Sequence, residues 1–109
     1  MTDEQLDHRR RHAWREFKSS MDTAIVAANK EVLGKISLTR DSFLRLALTV
    51  AELRAAYMQC GLDAAKHRRP TADQLACLAS TRSAYEEASA VFEALERIIE
   101  RGYVDIPKA

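Results

Sequence analysis

The chain has 109 residues, which is enough for one compact domain and too few for two. Its 47% hydrophobic residues, three Gly and two Pro exclude collagen-like, proline-rich and disordered chains, and the scarcity of turn formers argues against an all-β fold. The formal net charge is +1, but residues 1–69 hold 13 Lys and Arg against 9 Asp and Glu, whereas residues 70–109 hold 4 against 7.

The first predicted helix covers about residues 3–33. Thr2 and Gln5 have the spacing of a capping box, and Gly34 is expected to end the helix in a left-handed conformation. Apolar residues recur at helical spacing and form one stripe, which we expect to be a core face. This α1 stripe comprises Trp14, Phe17, Met21, Ile25, Ala28, Val32 and Ile36.

The second predicted helix covers about residues 40–67. Thr39 is its expected N-cap, whereas Ser42 at the box position is not a usual box partner. We expect the helix to continue through Gly61, because its length then matches that of its neighbours. It carries two apolar stripes. The inner stripe is Phe43, Leu46, Ala47, Val50 and Tyr57, and the outer stripe is Leu44, Leu48, Ala51, Ala55, Met58 and Leu62.

The third predicted helix covers about residues 72–101. Thr71 and Gln74 form its capping box, and Gly102 supplies a left-handed end. Its apolar stripe consists of Cys77, Ala84, Ala88, Val91, Leu95 and Ile98, flanked by Tyr85, Phe92 and Ile99. An acidic row, Glu86, Glu93, Glu96 and Glu100, lies on the other side of the helix.

Both connections are short, so successive helices should be antiparallel. The predicted fold is therefore an all-α, up-down-up bundle of three long helices, forming a single domain over residues 1–109. Residues 103–109 form a short C-terminal tail that either folds back on the bundle or stays free as a docking strand. The basic start of the first helix and the basic end of the second would then share one end of the bundle.

Two explanations fit the outer stripe of the second helix. A helix between two neighbours in one chain needs a wide apolar face, and a thin bundle can also bury a surplus stripe against a second chain. We favour a homodimer on the second explanation. The candidate self-association residues are Leu44, Leu48, Met58 and Leu62.

Basic side chains cluster in two places. The basic segment is defined as Arg9, Arg10, Arg11, Arg15 and Lys18, with His8 and His12 among them, and the turn cluster is Lys66, Arg68 and Arg69 beside His67. Such charges most often form a solvated face. Arginine also pairs well with phosphate, and an exposed Trp14 could stack on a base, so nucleic acid or an acidic protein are the alternative partners.

The two cysteines, Cys60 and Cys77, lie almost symmetrically about the second turn. Helix axes are about 8–10 Å apart, and a disulfide needs Cα atoms within about 7 Å, so we expect two buried reduced thiols, with a redox pair as the alternative. The N-terminal residues lack the apolar region of a signal peptide, and no stretch is apolar enough to span a membrane. A cytoplasmic protein is the resulting expectation.

Catalytic and cofactor motifs are missing from the sequence. With three glycines there is no phosphate-cradling loop, and neither a nucleophile elbow nor a zinc-protease motif occurs. His8 and His12 share a helix face, but two ligands among arginines make a weak metal site. We therefore expect no enzyme, cofactor or metal. The leading hypothesis is a helical protein-interaction module that self-associates, acting as an adaptor, inhibitor or assembly factor. The alternative is a nucleic-acid accessory protein.

Overall fold

The structure, a computed structural model, describes residues 1–108. It contains the helices α1 (Asp3–Leu33), α2 (Arg40–Ala64) and α3 (Ala72–Glu100), and no strand occurs within the described residues. The predicted all-α class with three long helices is confirmed. The bounds of α1 and α3 match the prediction to within one residue.

All three helices begin at a threonine N-cap. The hydroxyl oxygens of Thr2 and Thr71 accept from backbone amides three residues on, at 3.2 and 3.1 Å, and glutamine side chains return the bond. Ser42 closes the same box at Thr39, where its hydroxyl accepts the Thr39 amide at 3.0 Å. Serine is not a usual partner in a capping box, but the short side chain of Ser42 reaches the Thr39 amide.

Two helix ends differ from the expectations. Helix α2 passes through Gly61 as predicted but ends at Ala64, about three residues early, because the amides of Lys66 and His67 bond only three residues back. Gly34 is right-handed, with φ −62°, so the predicted left-handed end is wrong. A Cβ at Gly34 would lie 2.8 Å from the Lys30 carbonyl oxygen, so glycine is needed there for space.

Helices α2 and α3 pack extensively as an antiparallel hairpin. The rings of Phe43 and Phe92 stack at 4.9 Å near one end, whereas Cys60 is bonded to Cys77 toward the other. At Gly61 a Cβ would lie at ordinary contact distance, 3.8 Å, from the Leu78 side chain, so the helices are in direct contact at this point of the seam. Half-buried residues of α2 and α3 therefore form one continuous seam, and the hairpin is the packed unit of the molecule.

Helix α1 is packed differently from the expectation of three helices in contact along their lengths. The extensive helix contact in the structure is between α2 and α3, and the residues of α1 are exposed except for half-buried Asn29 and Leu33. The molecule measures 74 × 44 × 16 Å, with a Cα radius of gyration of 23.0 Å. A compact chain of this length would have about 13 Å. Because α1 is only about 46 Å long, it must project away from the hairpin as a second arm.

Candidate interaction surfaces

The two stripes of α2 have different environments. Every member of the inner stripe is half-buried at the α3 seam, whereas every member of the outer stripe is exposed. The four candidate association residues, Leu44, Leu48, Met58 and Leu62, are between 54 and 63% exposed. The sequence pattern therefore divided α2 correctly into a packed face and a free face. The explanation that α2 lies between two neighbours of its own chain does not apply, because its outer stripe has no cover in this chain.

The α1 stripe is also uncovered. Trp14 is 60% exposed, and the other large apolar members of the stripe are exposed as well. Trp14 and Phe17 contact each other, with ring centroids 6.0 Å apart. The expectation that this stripe is a core face is not met within one chain. A helical period identifies an apolar face and does not identify what covers it.

The exposed area shows how much burial is missing. A compact protein of 12.3 kDa exposes roughly 6,100 Å², whereas this chain exposes 8945 Å², an excess of about 2,800 Å². Among the described residues, Ala64 alone is a buried hydrophobic residue. The α1 stripe and the outer stripe contribute much of the exposed apolar surface, so these two faces are the main candidates for contact with a partner.

The hairpin that carries the outer stripe is covalently closed. Cys60 and Cys77 form a disulfide with Cα atoms 6.2 Å apart, so the expectation of two reduced thiols is wrong. The spacing of two helix axes is larger than the distance between Cα atoms that face each other across them. Each Cα lies about 2.3 Å from its axis, so facing Cα atoms are several ångströms closer than the axes.

Polar groups line one edge of the hairpin seam. The Arg54 guanidinium lies 5.5 Å from the centroid of the Tyr85 ring, and the Tyr57 ring stacks on Tyr85 at 6.3 Å. A hydrogen bond with Arg54, and to a smaller extent one with Ser89, lowers the pKa of the Tyr85 hydroxyl below its usual value. Near the turn, hydrogen bonds from Gln59 and Lys66 lower the pKa of the Asp63 carboxyl. The Tyr85 contacts join two helices, so helical spacing alone does not predict them. Gln59 and Lys66 lie four and three residues from Asp63, a local spacing from which their pairing was predictable.

The basic segment lies on the free arm. All of its side chains are exposed, and Asp7, Arg10, Arg11 and Trp14 line an open groove of about 530 Å³. The Arg11 Nε donates to the Asp7 carbonyl oxygen at 3.3 Å, and His12 lies 3.1 Å from Glu16. In the described part of the chain, the salt bridges involve neither the arginines of this segment nor Lys18. Their positive charges therefore face solvent.

The turn cluster lies on the other arm. Lys66, Arg68 and Arg69 are exposed, and Lys66 pairs with Asp63 at 3.2 Å. The arms join at residues 34–39, so the basic segment and the turn cluster lie toward opposite arm tips. With arms of about 45 Å, the 74 Å dimension requires those tips to be far apart. The structure therefore does not bring the two groups together at one end, as the predicted bundle would have done.

The C-terminal tail returns toward α2. Tyr103 and Val104 are half-buried, and Gly102 turns the chain with φ +73°, as predicted. Pro107 lines an open groove of about 450 Å³ together with Phe43 and Leu44. The tail therefore folds back beside the start of the outer stripe, in agreement with the first of the two alternatives.

Within residues 1–108, no group of three or more His, Cys, Asp or Glu side chains is arranged to hold a metal ion. No helix of the described chain has the length and hydropathy needed to cross a membrane. Comparison of the chain with protein-family models, curated proteins and solved structures finds no match.

Proposed function

We propose that this protein is a non-enzymatic helical interaction module that self-associates as a homodimer and serves as an adaptor, inhibitor or assembly factor. The observation that carries the proposal is the outer stripe of α2, an apolar row on a disulfide-closed hairpin that is exposed in the single chain. Contiguous apolar surface of this kind marks protein-interaction sites in soluble proteins. The large excess of exposed area over that of a compact monomer supports the same proposal.

The test is the mass of the protein in solution before and after charges enter the outer stripe. Wild-type protein at tens of micromolar should sediment as a dimer, and the double variant Leu48→Glu/Met58→Glu should sediment as a monomer with unchanged helical circular dichroism. The control is Thr49→Glu/Ala56→Glu, which adds the same charge at exposed positions outside both stripes. A monomeric wild type, or a double variant of unchanged mass, would reject the proposal.

A second candidate function is binding of nucleic acid through the basic segment. The observation that favours it is the exposure of Trp14 in a groove that Arg10 and Arg11 also line. Arginine binds phosphate and an exposed indole stacks on unpaired bases. By helical spacing, Arg10, Arg11, Arg15 and Lys18 share one side of α1 with Trp14, so about four phosphate contacts are expected.

The test of this second function is salt dependence. Four contacts predict that affinity for single-stranded DNA falls about 50-fold between 50 and 200 mM salt. The triple variant Arg10→Ala/Arg11→Ala/Arg15→Ala should abolish most of the binding. A control variant removes the same charge elsewhere, at Arg45, Arg97 and Arg101. No binding at low salt, or equal loss in both variants, would contradict a site on the basic segment.

A further inference from the structure

We infer that the partner of the outer stripe is α1 of a second copy of this chain, so that two copies exchange their first helices. This inference rests on the proposed self-association and names the segment that makes it. In such a dimer, the α1 stripe of each copy covers the outer stripe of the other. Both exposed apolar faces of the molecule then become buried in one step.

The two faces match in length and character. The α1 stripe covers 19 residues from Trp14 to Val32, and the outer stripe covers 19 residues from Leu44 to Leu62, so each spans 18 residue steps. Both lie within continuous helix, so each is about 27 Å long. The α1 stripe is rich in large side chains, whereas Ala51 and Ala55 leave a shallow centre in the outer stripe. Large residues of one helix can therefore pack over small residues of the other.

The area supports a contact of this size. If each copy buried its excess of about 2,800 Å², the dimer would bury about 5,600 Å² in total, which is within the range of obligate homodimers. A small surface contact between outer stripes alone would leave the α1 stripe exposed. Exchange of α1 accounts for both faces with one symmetric interface.

The connection between α1 and α2 explains why the second copy, rather than the chain's own hairpin, provides the cover. The connection at residues 34–39 is short, and it directs α1 away from the hairpin as a separate arm. A hinge that holds a helix away from its own hairpin leaves that helix available for exchange between copies. The exchanged α1 would make the antiparallel contact with α2 that a closed bundle makes, which places Trp14 near the partner's Leu62 and Val32 near the partner's Leu44.

The experiment is isotope-resolved photo-cross-linking of the full chain. Met21, at the centre of the α1 stripe, is replaced by benzoylphenylalanine in both ¹⁴N- and ¹⁵N-labelled protein. Equal amounts are unfolded together, refolded with the disulfide intact, irradiated and digested with trypsin. Exchange predicts cross-links from α1 to the α2 peptides 46–54 and 55–66, about half of them with mixed isotopes, as random pairing of two copies requires. The control places the same group at Thr23, on the opposite face of α1, where these cross-links should be lost.

Each other outcome is informative. Mixed-isotope cross-links from α1 to α1, in a protein that sediments as a dimer, would overturn helix exchange and leave the proposed self-association in place. Cross-links from α1 to α2 without mixed isotopes would show that α1 folds on its own hairpin and would also overturn exchange. A monomer without mixed cross-links would overturn both the exchange and the proposed function.

Discussion

Removing the covalent link between Cys60 and Cys77 is expected to destabilise the α2–α3 hairpin by about 3 kcal/mol. The two residues are separated by 17 positions, so the bond closes a loop of that length through the turn. Closing a loop of about this length in the unfolded chain lowers its conformational entropy by an amount equivalent to roughly 3 kcal/mol at 25 °C. The seam that remains is only half-buried, so this contribution is a large part of the stability of the hairpin.

The assay is thermal unfolding followed by circular dichroism, with the oxidised protein compared with Cys60→Ser/Cys77→Ser at the same protein concentration. For a unit of 60–100 residues, a loss of 3 kcal/mol lowers the midpoint by roughly 12–24 °C. Oxidised protein treated with reductant should show the same decrease, whereas the double variant should not respond to reductant. The reasoning would be refuted by an unchanged midpoint after reduction, or by intact-mass measurement of two free thiols in the untreated protein.

Two further predictions concern the ends and the edge of the hairpin. Thr71→Ala removes the N-cap of α3 and should lower the free energy of unfolding of the hairpin by about 1 kcal/mol, measured by urea unfolding. Thr2→Ala removes the N-cap of α1 and, in the dilute monomer, should leave the unfolding transition of the hairpin unchanged, because α1 packs little on it. Equal effects of the two variants would contradict the separate packing of α1. Arg54→Ala should raise the pKa of Tyr85 toward its ordinary value of 10.0, measured by NMR titration of the ring, because the hydrogen bond that favours the phenolate is lost. A pKa unchanged by Arg54→Ala would contradict that contact.

The sequence by itself determined the local structure. The three capping threonines, the glycine beyond α3 and the 3.6-residue period fixed the helix count and most helix bounds, since these signals act within one or two turns. The same period separated the inner stripe of α2 from the outer stripe, and the structure preserves that division. The exposed candidates from Leu44 to Leu62 were therefore identifiable without coordinates.

Only the tertiary structure decided what covers each face. A stripe such as that of α1 is equally apolar whether it faces its own hairpin, a second chain or solvent, so the sequence placed it in a core while the structure leaves it exposed. The separation of the basic segment from the turn cluster follows from the direction of α1, which depends on the connection at residues 34–39. The pairing of Cys60 with Cys77 likewise depends on how closely two Cα atoms approach across the seam. Helical spacing describes one helix at a time, and contacts between helices are set by packing that involves the whole chain.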